Sequence, residues 1–158
     1  MKSSIASDSL TMLDIEMISS GQTPYLVTLM SGNDSLLLLL TNLTDDSTLN
    51  IVSSKSVSVD SNHESSSFRI KLQYNNEDCS LIIGGPNSIF KIAINERVLQ
   101  DPETVYQAQE ENSILAYFVI RDHLIIVHSD SVIMISLSQQ SQPVPSHQYK
   151  DAQRIDER

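Results

Sequence analysis

Apolar and polar side chains alternate with a period of two along much of this chain. In Leu13-Asp14-Ile15-Glu16-Met17 the alternation is strict, and Phe68, Ile70, Leu72 and Tyr74 alternate with Arg69, Lys71 and Gln73. Successive side chains on a strand point to opposite faces, so this rhythm predicts β-strands with one apolar face. In the second stretch the aromatic and aliphatic set faces the core, and Arg69, Lys71 and Gln73 face water. Tyr25, Val27 and Leu29 mark a further strand. Leu36 to Leu40 is apolar on both parities and predicts a central strand covered on both faces.

Turn-forming clusters separate these runs: Ser31-Gly32-Asn33-Asp34, Asn75-Asn76-Glu77-Asp78 and Gly84-Gly85-Pro86-Asn87. The strands between 68 and 94 are therefore expected to form a meander. Leu49 and Ile51 begin a short strand, which Val57 and Val59 extend after an interruption. Eight of the fifteen residues from 53 to 67 are serine, which predicts a loop, because little apolar surface is available to bury. Asp101 as N-cap, Pro102 at the first helical position and Glu103 in the first turn predict one short helix over 101–111. Ile114 to Arg121, Leu124 to His128 and Val132 to Leu137 are the last three strands. Prolines, glutamines and mixed charges over 139–158 predict a disordered polar tail.

The pattern amounts to an all-β fold: an antiparallel β-sandwich or a small closed barrel of about eight to ten short strands, formed by a single domain over 1–138. A β-propeller would need more blades than 158 residues supply, unless several chains assemble.

Composition narrows the function classes. The net charge is −10, with ten basic residues that are scattered along the chain. Nucleic-acid affinity rests largely on phosphate neutralisation by Lys and Arg, so direct nucleic-acid binding is not expected. The apolar runs are too short to span a bilayer, and the N-terminal residues lack the apolar core of a secretory signal. Membrane insertion is not expected, and the expected compartment is cytoplasm or nucleus. The single cysteine, Cys79, can form no intrachain disulfide and reads as a small buried hydrophobe.

The stretch Asp122 to Ser136 gathers two histidines, two aspartates and serines. His123 and His128 are five apart and point opposite ways on a continuous strand, so they do not form a metal pair. Asp122-His123 and Ser129-Asp130-Ser131 read as hairpin corners, since Asp and Ser side chains bond nearby backbone groups. His128, Ser129 and Asp130 are sequence neighbours and cannot form the relay of a hydrolase triad. No catalytic, cofactor or metal residue is singled out, and no cofactor is expected.

The strands at 114–120 and 124–127 are apolar on both parities. One face meets the core, and the other requires a second layer, a partner or another copy. The sequence therefore predicts a non-catalytic protein-interaction module, a subunit or adaptor of an intracellular multiprotein complex that binds other subunits or itself. The expected interface residues are Ile114, Leu115, Tyr117, Val119, Leu124, Ile126, Ile133 and Ile135. A ligand-binding barrel and an enzyme with a site assembled from distant residues are the alternatives. Ser61, with Glu64 three residues on, is a candidate for phosphorylation by an acid-directed kinase.

Overall fold

The computed structural model describes residues 10–19, 24–32, 34–43, 48–59, 67–75 and 78–138. They form twelve antiparallel strands and no α-helix: β1 (Thr11–Ile18), β2 (Tyr25–Ser31), β3 (Ser35–Leu43), β4 (Leu49–Ser58), β5 (Arg69–Asn75), β6 (Asp78–Gly84), β7 (Ser88–Asn95), β8 (Val98–Leu99), β9 (Glu103–Gln107), β10 (Ala116–Ile120), β11 (His123–Val127) and β12 (Val132–Ser136). The first sheet runs β1-β2-β3-β4. The second runs β5-β6-β7-β8, with β9 also on β7, and the third runs β10-β11-β12. None closes into a barrel, and the architecture is an all-β sandwich of layered sheets.

Two cores show how the layers stack. Val27, Leu29, Leu36, Leu38, Leu40 and Val57 of the first sheet pack with Ile70, Leu81, Ile83 and Ile92 of the second. Ile82, Ile89 and Tyr106 of the second sheet and its extension pack with Tyr117, Leu124, Ile126, Ile133 and Ile135 of the third. Leu81, Ile82 and Ile83 are consecutive and all fully buried. Because neighbours on a strand face opposite ways, β6 must be covered on both sides. The second sheet is thus the middle layer, and the first and third are the outer ones.

This layering alters several expectations. The strand covered on both faces is β6, not β3. In β3, Leu36, Leu38 and Leu40 are buried, whereas Leu37 and Leu39 stay partly open on the outer side. Gln73 is buried although Arg69 and Lys71 on the same face of β5 are exposed, and Tyr74 near the strand end is exposed. The segment expected to be helical holds β9 instead, pairing Glu103–Gln107 with Ser88–Lys91. The unpaired edge of β7 offers backbone partners there, and Thr104, Val105 and Tyr106 favour extended backbone, so tertiary context outweighs the Asp-Pro-Glu helix start. Ser53 to Ser58 belong to β4, which continues without interruption against the leucines of β3 through a bulge near Leu40. Residues 60–66, the rest of the expected serine-rich loop, and 139–158, the expected tail, lie outside the described residues.

Side chains also join the layers at their edges. Asp14 of β1 accepts a hydrogen bond from the Ile70 backbone N–H at 2.9 Å. The Tyr117 hydroxyl donates to the Arg69 carbonyl oxygen and accepts from the Gly84 N–H at 3.1 Å. Gly84 is required by this approach, since a Cβ there would lie 2.5 Å from the Tyr117 ring.

Candidate functional site

The residues from Asp122 to Ser136 form the expected hairpin. β11 and β12 pair over five positions, and His128 N–H bonds to the Ser131 carbonyl oxygen at 2.8 Å to close the corner. His128, expected at the end of this strand, lies just past β11. Its ring is buried, with Nε2 2.7 Å from the Tyr106 hydroxyl and Nδ1 3.0 Å from the Ser113 carbonyl oxygen. A carbonyl only accepts, so Nδ1 carries the proton and Nε2 accepts from Tyr106. Both ring nitrogens are engaged, and the pair ties β9 and the 113 loop to the third sheet. Sequence reasoning missed this contact because the two residues are 22 positions apart and neither follows a motif.

The other polar candidates are structural in the same way. Asp130 accepts from the Ser131 hydroxyl at 3.1 Å and from Asn112 at 3.2 Å, which hold its carboxyl below the usual range. Cys79 is buried, and desolvation pushes its thiol up to about 11, far from a reactive thiolate. Among the described residues, no three His, Cys, Asp or Glu side chains converge to hold a metal. A surface groove of about 460 Å³ lies between β5 and β10, lined in part by Arg69, Lys71, Gly85 and Phe118. It is shallow and open to solvent.

The expected interface residues divide by parity. Across the third sheet, Tyr117 pairs with Ile126 and Ile126 with Ile133, while Val119 pairs with Leu124 and Leu124 with Ile135. These rows face the middle layer. Tyr117, Leu124, Ile126, Ile133 and Ile135 are buried in the chain's own core, as is Ile114, and Val119 packs against it. They are core residues, not a free surface. Leu115 alone of the eight is strongly exposed, at 66%. Ser61 lies outside the described residues.

The free face of the third sheet belongs to the opposite parity. Its rows are Ala116–Val127–Val132, Phe118–Ile125–Met134 and Ile120–His123–Ser136. Phe118, Ile120 and Met134 are each about half exposed. At the other end of the stack, the outer face of the first sheet has a matching make-up. Its rows are Met12–Met30–Leu37–Ser56, Ile15–Thr28–Leu39–Ser54 and Met17–Leu26–Thr41–Ile51. Met12, Ile15 and Met17 on β1 are again about half exposed, and Ile51 more so. Neither set of rows contains an Asp, Glu, Lys or Arg, in a chain with thirty such residues. Solvated sheet faces normally alternate toward polar and charged side chains, so two uncharged outer faces depart from what water alone would select. The methionines add side chains that adapt their shape to a partner.

A sequence signal for the free parity existed. The two-residue corner Arg121-Asp122 sets Ile120 opposite His123, and β12 then brings Ser136 into the same row. The row with polar members is the one that faces out. The chain matches no protein-family model and is similar to no curated protein sequence.

Proposed function

We propose that the chain is a non-catalytic protein-interaction module, a subunit or adaptor of an intracellular multiprotein complex, which binds through the uncharged outer faces of its first and third sheets. One observation carries this reading: both ends of a three-layer stack expose large apolar side chains with no formal charge among them. Contiguous apolar surface of this kind marks protein contact more often than any other use. The engaged ring of His128 and the high-pKa thiol of Cys79 give these two side chains structural roles, in keeping with a binding protein.

The reading moves the expected interface from the Tyr117 parity to the Phe118 parity. Its test is affinity capture from native extract with the wild-type chain, with Phe118→Asp and with Asp130→Asn as a surface control. Wild type and Asp130→Asn should retain the same specific proteins, identified by mass spectrometry, and Phe118→Asp should lose them. Retention of the same proteins by all three would overturn the proposal.

A further inference from the structure

The groove between β5 and β10 runs beside an edge strand, since β10 is the first strand of the third sheet. The His128 N–H and the Asp122 carbonyl oxygen point to β12. Backbone groups alternate in direction along a strand, so His123, Ile125 and Val127 of β11 bond to β10, where their partners are Ile120, Phe118 and Ala116. Tyr117 and Val119, between those partners, turn their N–H and C=O groups to the open edge, and no described residue bonds to them there. An unpaired row of this kind is a template for one more strand. The neighbouring edge of β5 is closed at this level, because Asp14 accepts from its outward Ile70 N–H at 2.9 Å.

Charge selects the occupant. Arg69 and Lys71 line the groove, and no acidic residue is among its lining residues, although the chain carries a net charge of −10. Arg69 donates one guanidinium N–H to the Phe68 carbonyl oxygen at 2.7 Å. The Lys71 ammonium stands 5.9 Å from the centroid of the Tyr117 ring, and no described carboxylate bonds to it. Cations beside an open edge repel a basic strand and attract an acidic one. Side chains opposite each other on paired strands share a face. In a strand added to β10, the residues opposite Tyr117 and Val119 would therefore point inward, toward Lys71 and Arg69. The residues between them would point outward beside Phe118 and Ile120, which are about half exposed. We infer that the open edge of β10 binds an extended segment of a partner protein in which acidic and apolar residues alternate, with the acidic side chains over Arg69 and Lys71 and the apolar ones beside Phe118. This surface is distinct from the outer sheet faces and meets them only along that outward row, so the inference goes beyond the proposed function.

The test is titration of the full chain with a synthetic peptide of alternating glutamate and valine, long enough to span Ala116–Ile120. Binding is read by fluorescence anisotropy of the labelled peptide and by residue-resolved amide hydrogen exchange of the chain. The peptide should bind, its dissociation constant should rise with salt, and the Tyr117 and Val119 amides should become protected from exchange. Lys71→Glu, checked for an unchanged circular-dichroism spectrum, should weaken binding about fivefold or more. Met134→Ala, on the outer face and away from the groove, should bind as wild type does. The same peptide with lysine in place of glutamate should not bind, and this comparison needs no variant of the chain. Four outcomes overturn the inference: no binding of the glutamate peptide by wild type, binding without protection of these two amides, equal binding of the lysine peptide, or protection of the same amides by self-association in the absence of peptide.

Discussion

Tyr117→Phe removes one oxygen atom from the seam between the middle and third sheets. That hydroxyl accepts from the Gly84 N–H at 3.1 Å and donates to the Arg69 carbonyl oxygen. Gly84 is buried, and the ring lies so close that a Cβ on this glycine would sit 2.5 Å from it. Arg69 and Gly84 are direct partners in the β5–β6 pair, so the hydroxyl is an additional partner to both, and each such hydrogen bond contributes about 1 kcal/mol. The Arg69 carbonyl oxygen points toward Gly84, because the Ile70 N–H that follows it points the other way, to Asp14, so it does not turn to solvent and the loss of its bond adds a similar amount. The expected destabilisation is about 2 kcal/mol, or a drop in Tm of about 6–10 °C for a domain of this size. Burial holds the phenol pKa far above its ordinary value, so the hydroxyl keeps its proton throughout the assay range. The measurement is urea unfolding at pH 7, followed by circular dichroism, with Phe118→Leu as the control from the next position on the same strand. Phe118 points outward, and its substitution should change the stability of the single chain by less than about 0.5 kcal/mol. If Tyr117→Phe costs no more than the control, the hydroxyl does not bridge the sheets and the stacking of the third layer is misassigned.

The layering makes a second prediction at β6. Ile82→Ala should cost about 2–5 kcal/mol, because the side chain is fully buried on the face opposite Leu81 and Ile83. Met134→Ala on the free face should cost less than about 1 kcal/mol in dilute solution, by the same unfolding assay. Alkaline pH should weaken the fold from a defined point. Desolvation raises the Cys79 thiol from 9.0 to about 11, so the folded chain holds this proton more tightly than the unfolded one. The resulting stability is complete below pH 9 and is lost as pH rises through 11. Tyr117, also raised by burial, adds to the loss above pH 10. The urea midpoint should be flat from pH 7 to 8 and fall above 9, and Cys79→Ala should flatten the decline between pH 9 and 10.

Strand periodicity was legible in the sequence because it is a property of neighbours: Phe68-Arg69-Ile70-Lys71 needs no knowledge of the rest of the chain. The layer order was not legible, because it depends on which sheet lies over which. Gln73 and Lys71 share a face of β5 with Arg69, yet only Gln73 is buried, a difference that side-chain type along one strand does not encode. β10 is apolar on both parities, so composition alone does not choose between Tyr117 and Phe118. That choice rests on the polar residues His123 and Ser136 sharing a row with Ile120. The serines of β4 resemble a loop by side chain. They form a strand because the β3 backbone beside them needs partners, and backbone hydrogen bonds are indifferent to the side chains they carry. The Asp101-Pro102-Glu103 start carried a real local helix preference, which the open edge of β7 outweighed.

The central claim is that the Phe118 face is covered by protein when the chain is at work. A cysteine introduced as Phe118→Cys in a Cys79→Ala background reports on this directly, through its rate of alkylation. An Asp130→Cys thiol in the same background, on an exposed corner, gives the rate of an uncovered site. The account predicts that the thiol at 118 reacts at the control rate in dilute solution and at least ten times more slowly as wild-type chain is added or in native extract. A thiol at 118 that keeps pace with the control under every one of these conditions would contradict it.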